Sequence, residues 1–183
     1  MTLARGLQLT LFNVDPMLRA HNTGSARNAY GMAAQHIVCE TLGLRPIPID
    51  GRCGICLDAE DGEIFYEIKS VRTTGKIVIY DWRLEKELSS GVPVMYAILI
   101  HSLRGAREDI LNAMRQCAPR ILLIPLYEVA YAAREQAQRR YLKPRSARAN
   151  GYNRKGYAQG YRNIPLRRLL NVAGAEIVQV PCS

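Results

Sequence analysis

The sequence lacks a hydrophobic run long enough to cross a bilayer: its longest uncharged apolar stretch, Val92–Ile100, is far short of the roughly 18 residues a spanning helix needs. The N-terminus has no basic stretch followed by an apolar one, so neither a membrane span nor secretion is expected. Five cysteines cannot all pair internally, and without an export signal they read as reduced thiols of a cytoplasmic protein, which excludes a disulfide framework. No phosphate-cradling loop, dinucleotide fingerprint or nucleophile elbow occurs; Gly51–Gly54 is too short for either of the first two. Within 183 residues, 48 % of them apolar, there is enough material for one packed domain plus an appendage.

Acidic residues are also in short supply, and their distribution matters more than their number. Against 25 Lys and Arg stand 16 Asp and Glu, a formal charge of +9 that favours a polyanionic partner. Between Arg134 and Arg168 lie eleven basic residues and the single acid Glu135, while the remainder, with fourteen basic and fifteen acidic residues, is nearly neutral. The expected organisation is a globule at 1–141 and a basic Gly/Tyr/Arg-rich region at 142–183 that packs back on the globule at 164–181. Gly, Pro, Asn and Ser interrupt the arginines, and Gly-Tyr occurs at 151/152, 156/157 and 160/161, a composition expected of a loop or extended arm. Arginine forks onto phosphate and tyrosine stacks on unpaired bases, so Arg139, Arg140, Lys143, Arg145, Arg148, Tyr152, Arg154, Lys155, Tyr157, Tyr161 and Arg162 are the expected nucleic-acid contacts. The plainer alternative is a solvated tail with its tyrosines packed on the domain surface.

Periodicity supplies the rest of the outline. A short strand at Leu7–Val14 is followed by helical spacing over Arg27–Leu42, stopped by Gly43. Two β-rich runs flank Asp61-Gly62, and a two-residue turn there would set Asp58 opposite Phe65 and Cys56 opposite Glu67. Alternation then places Ile55, Leu57, Ile64, Tyr66 and Ile68 on an apolar face, with Asp58, Glu67 and Lys69 on the other. Further on, the pattern predicts a strand at Lys76–Tyr80, a helix at Trp82–Ser89, a central strand at Pro93–His101, a helix at Arg107–Cys117, a strand at Arg120–Pro125 and a long helix at Leu126–Tyr141. Such alternation implies an α/β fold with a mixed sheet flanked by helices.

Asp58 and Glu67 on one face are suited to sharing a hard cation, with Lys69 placed to orient or deprotonate a water and to stabilise charge on a scissile phosphate. A solvent-facing hairpin with cross-strand ion pairs is the structural alternative. Of the five lysines only Lys69 follows a carboxylate by two residues. Asp58, then Glu67-Ile68-Lys69 on the next strand, together with the order of elements from the Arg27 helix to the Met95–His101 strand, resembles the PD-(D/E)XK nuclease superfamily. That resemblance covers less than half the chain and rests on a short, degenerate motif.

The resemblance implies a restriction-endonuclease-like core with a basic C-terminal extension and Mg²⁺-dependent hydrolysis of DNA, with Mn²⁺ substituting. It also implies Asp58, Glu67 and the Ile68 carbonyl as metal ligands and Lys69 as base or stabiliser. Members often carry a Glu four residues after a Gly on the first helix; here Gly31 leads to Gln35, a departure that makes Gln35 a neighbour of the metal or its water. Glu40, the nearest acid on that helix, sits about 140° around it. Arg83 or Lys86 would be the basic residue on the helix after the triplet. A structure-selective, junction-resolvase-like enzyme and a small site-specific endonuclease both fit, and two cuts would call for a homodimer. The alternatives from other classes are a non-catalytic nucleic-acid-binding protein on this scaffold and an RNA-binding accessory factor. Cys53 and Cys56 with His36 and Cys39 have the count and spacing of a zinc site, although strand geometry turns Cys53 and Cys56 to opposite faces.

Overall fold

A computed structural model describes residues 23–47, 57–105, 109–134, 136–142 and 157–181. The chain begins with helix α1 (Thr23–Leu42), whose Ala29, Ala33, Ala34, Ile37 and Val38 are buried and which ends at Gly43 with a positive φ of 67°. Two two-residue strands follow, β1 (Arg45–Pro46) and β2 (Ala59–Glu60), then the eight-residue β3 (Phe65–Arg72) and β4 (Lys76–Tyr80). Helix α2 (Asp81–Ser89) leads to β5 (Val94–His101), α3 (Ile110–Gln116), β6 (Arg120–Pro125) and α4 (Leu126–Ala133). The C-terminal part contributes β7 (Ala137–Leu142), β8 (Tyr157–Pro165), the short helix α5 (Leu166–Leu169) and β9 (Glu176–Gln179).

Six strands form a mixed sheet in the order β1-β2-β3-β5-β6-β9, in which β3 and β5 are parallel and the other neighbours antiparallel. Both faces of β5 are covered, as its nearly unbroken apolar sequence requires: Ala97 and Leu99 pack towards α1 and α3, and Tyr96, Ile98 and Ile100 pack the other way. That second side is shared by Leu84 of α2, Val129 of α4, Leu166 and Leu169 of α5, and Ile77, Ile79 and Ile164 of a second, three-stranded sheet in the order β4-β8-β7. The molecule is therefore α/β, with a mixed central sheet flanked by helices.

Three expectations need correction. The β2–β3 hairpin pairs Glu60 with Phe65 and Ala59 with Tyr66, so its loop is four residues long and not two. The cause is Asp61, whose Oδ1 accepts from the Glu63 and Ile64 amides at 2.9 and 2.8 Å and closes an Asx-type turn ahead of Gly62. Leu57 leaves the expected apolar face and packs in the opposite layer from Tyr66 and Ile68. The helix expected over Leu126–Tyr141 ends at Ala133, and β7 takes over at Ala137, because an antiparallel ladder with β8 outweighs the local helical spacing.

The Gly-Tyr segment is likewise not wholly an arm: residues 157–165 form β8, paired on one side with β4 and on the other with β7. Gly160 leaves room there for Asp81, because a Cβ would lie 2.8 Å from Asp81 Cγ and nearer still to its carboxylate oxygen, so that this side chain would have to shift. The last strand, β9, closes the central sheet against β6. Leu7–Val14, Ile55, Cys53 and Cys56 lie outside the described residues, as do Lys143, Arg145, Arg148, Tyr152, Arg154 and Lys155. Among the described residues no helix is long and apolar enough to cross a membrane.

Candidate active site

The brevity of β2 creates the site. Its ladder with β3 stops at Ala59–Tyr66, and the next inward-facing amide, that of Ile68, donates instead to Asp58 Oδ2 at 2.7 Å. A carboxylate thus replaces the strand that would otherwise satisfy this edge of β3. Along β3, Phe65 donates to Pro93 O on the β5 side, so alternation directs both the amide and the carbonyl of Ile68 to the edge held by Asp58. The Asp58 main chain is fixed too: its carbonyl accepts from Ile47 N–H at 3.0 Å and from Gln35 Nε2 at 3.0 Å. Gln35 comes from α1, so helix and hairpin meet at the residue just before β2.

Glu67 and Lys69 project from one face of β3, towards α2. Glu67 is fully buried, and each of its carboxylate oxygens meets a cation, Oε1 the Lys69 ammonium and Oε2 the Arg83 guanidinium. Burial nevertheless dominates and pushes the Glu67 carboxyl up to about 7; Lys69 and Arg83 pull against this, and the nearby charge of Asp58 adds to it. Arg83 Nε also donates to Glu87 Oε1 at 2.9 Å. Glu87 is buried as well, and its Oε2 accepts from Tyr96 OH at 2.6 Å. For Arg83, burial opposes the charge, but Glu67 and Glu87 more than offset it and hold the guanidinium above its ordinary value. The result is a continuous line of hydrogen-bonded charges, Lys69–Glu67–Arg83–Glu87, ending on Tyr96 in the central strand.

Gln35, Asp58, Glu67 and Lys69 are therefore gathered at the β2–β3 junction, although the register that gathers them differs from the one the turn sequence suggests. Arg83 joins them, whereas Lys86 is exposed. Glu40 points elsewhere and pairs with Arg115 of α3. The buried Glu87–Tyr96 pair is absent from the sequence-level expectations. Its signals were an Arg-Glu pair at i,i+4 on α2 and a hydroxyl inside an apolar central strand, where burial requires a partner.

The donor set at this junction consists of oxygens: two carboxylates and a main-chain carbonyl. This chemistry fits a hard divalent cation whose remaining positions go to water and to phosphate oxygen. Among the described residues no three His, Cys, Asp or Glu side chains converge as a ready-made metal cage. Binding at Glu67 would exchange one of its present cationic partners for the metal. Of the four candidate zinc ligands the described residues include His36, which is exposed, and Cys39, whose thiol is pushed up to about 11 by burial, reinforced by Asp58.

Of the expected nucleic-acid contacts, Arg139 and Arg140 lie on β7 and Tyr157, Tyr161 and Arg162 on β8. Arg162 is engaged internally: Nε donates to Asp81 Oδ1 at 2.7 Å and Nη1 donates to the carbonyls of Ala133 and Arg134 at 3.3 and 3.2 Å. It ties β8 to the start of α2 and the end of α4. Comparison of the chain with family models, with curated proteins and with solved structures finds no match.

Proposed function

We propose that this chain is a metal-dependent endonuclease that hydrolyses DNA phosphodiester bonds, with a restriction-endonuclease-like core of the PD-(D/E)XK type and a basic C-terminal region that grips the backbone. The observation that carries the reading is the meeting of Asp58, Glu67 and Lys69, which are separated in sequence by a hairpin, at one edge of β3 with Gln35 behind them. Asp58, Glu67 and the Ile68 carbonyl would hold Mg²⁺. When bound, the ion supplies Lewis-acid polarisation of the phosphate and a water of lowered pKa. Lys69 brings a positive charge that is partly open to solvent beside Glu67, suited to orienting the attacking water and stabilising negative charge on the phosphoryl oxygens. Arg83 anchors the second oxygen of Glu67, and Gln35 holds the Asp58 main chain so that its carboxylate stays at the Ile68 amide.

The phosphate grip is assigned to Arg139, Arg140, Lys143, Arg145, Arg148, Arg154 and Lys155, interleaved with Tyr152, Tyr157 and Tyr161. Two active sites, and hence a homodimer, would serve double-strand or junction cleavage. A second reading, a nucleic-acid-binding protein without catalysis, draws on the fact that Lys69 and Arg83 already neutralise Glu67. The two separate on incubation of supercoiled, linear single-stranded and branched DNA with and without Mg²⁺. The nuclease reading expects Mg²⁺-dependent cleavage that Lys69→Ala and Asp58→Ala abolish while DNA binding persists. Binding without any metal-dependent cleavage by the wild type establishes the second reading, and cleavage by Lys69→Ala at the wild-type rate removes this site from consideration.

A further inference from the structure

The three-stranded sheet has two faces of different character. Facing inwards are Ile77, Ile79 and Ile164, all buried, with Gly160 and Arg162 clamped against Asp81. Positions of the other parity hold Lys76, Val78 and Tyr80 on β4, and the β4–β8 register sets them opposite Pro165, Asn163 and Tyr161. Val78 is 43 % exposed and Tyr80 38 %, an unusual level for a valine and a tyrosine in the middle and at the end of a strand. None of the three strands contains an aspartate or glutamate.

We propose that this outer face is a stacking platform for single-stranded DNA. Tyr80 and Tyr161 are directly opposed across the β4–β8 ladder, which brings their Cβ atoms to about 5 Å and starts both side chains from the same face of the sheet. Tyrosine presents a π-face to any unpaired base, and such stacking tolerates sequence. Lys76 at the far end of β4 and the absence of acids supply the matching charge for phosphate. A duplex keeps its bases stacked on one another and offers these rings nothing comparable. A protein-docking face would need a larger apolar centre than Val78 between polar neighbours, and a lipid surface a broader one. The inward clamp of Gly160 and Arg162 on Asp81 holds the platform in place before the strand arrives, which lowers the ordering cost of binding. The choice of DNA rests on the endonuclease reading; the preference for unpaired bases does not.

The test is fluorescence anisotropy of labelled oligo-dT, oligo-rU and a duplex of equal length with the full chain in EDTA, so that cleavage is silent and its failure elsewhere does not affect the result. Oligo-dT is expected to bind more tightly than the duplex. Tyr80→Ala and Tyr161→Ala are each expected to weaken oligo-dT binding about 5- to 150-fold, and Tyr80→Phe to stay within about twofold. Lys76→Glu, at an exposed position with no demand on the core, is expected to weaken binding and lower the salt slope by about 1. Tyr127→Ala, a more exposed tyrosine on α4, is expected to have no effect. Equal or tighter duplex binding, or folded Tyr80→Ala and Lys76→Glu proteins that bind like wild type, overturns the platform. Tighter binding of oligo-rU than of oligo-dT overturns the assignment to DNA.

Discussion

On the central sheet, charge is buried and paired: Glu67 has no exposure, meets Lys69 and Arg83, and connects through Arg83 and Glu87 to Tyr96. On the three-stranded sheet, Arg162 faces inwards and is locked to Asp81, while the outer face leaves Lys76 and Tyr80 to solvent. Both sheets contribute to a single apolar layer, Tyr96 and Ile98 from one and Ile77, Ile79 and Ile164 from the other. The same layer thus supports two kinds of polar chemistry: a low-dielectric charge cluster where each group depends on its neighbours, and an open surface where each group acts almost alone. Substitutions in the first should cost stability as well as function, and substitutions in the second should cost binding only.

The largest stability effect is expected at Glu87. Its removal in Glu87→Ala takes the acceptor from the buried Tyr96 hydroxyl and one of the two carboxylates from Arg83, a loss expected to reach about 3 kcal/mol in urea unfolding. A loss below about 1 kcal/mol would mean that the line of charges is not a coupled unit. Next in size is Gly160→Ala, which drives a methyl group into the Asp81 carboxylate and should cost about 1 to 3 kcal/mol. Combining it with Asp81→Ala should recover part of that loss, so that the two changes are not additive in a double-mutant cycle. Strict additivity would show that the clamp does not hold β8 to α2. Smallest of all is the open face: Val78→Ser, at a half-exposed position, should change stability by no more than about 0.5 kcal/mol.

His101 offers a pH-dependent comparison at the C-terminal end of β5. It is buried and stacked on Tyr30, with ring centroids 5.2 Å apart, and its Nε2 lies 3.0 Å from Ser70 Oγ. Burial, with a contribution from Arg72, holds the imidazole below its ordinary value of 6.5, so the unfolded chain takes up a proton before the folded chain does. His101 therefore contributes stability that is lost as pH drops through 6.5, opposite in sign to the contribution of Glu67, whose raised carboxyl takes up its proton first in the folded chain, and His101→Gln should remove the His101 contribution from a series of thermal unfolding curves. An unchanged slope in the variant would place the titration elsewhere.

The sequence made some of this legible for clear physical reasons. Strand β4 falls at Lys76–Tyr80 as alternation requires, and the unbroken apolar run of β5 announces a strand buried on both faces. The meeting of Asp58 with Glu67 and Lys69 was also readable, because moving a hairpin register by an even number of residues preserves the faces. The register itself was not: Asp61 builds its turn with its own side chain, and a two-residue reading of Asp61-Gly62 misses that. Strand β7 was hidden because its ladder partner lies beyond a long intervening segment and local spacing favoured a helix. Strand β8 was hidden because its glycine looked like a loop signal and serves instead as clearance for Asp81. The burial of Glu87 was not legible, because it follows from the packing of α2 on β5 and not from the local pattern. The placement of β8 and β9 also changes how the basic region should be tested, since truncation from Lys143 would remove strands from both sheets. Alanine substitutions at Lys143, Arg145, Arg148, Arg154 and Lys155 are the better probe, and they should flatten the salt dependence of DNA binding.

The most direct measurement is anomalous diffraction from crystals soaked in Mn²⁺, compared with Asp58→Ala crystals treated the same way. The expected result is a metal peak in contact with the Asp58 carboxylate, Glu67 and the Ile68 carbonyl that disappears in the variant. A protein that cleaves DNA with Mn²⁺ while its peak lies elsewhere, or that shows none at this junction under saturating metal, would contradict the assignment of these residues as the catalytic centre.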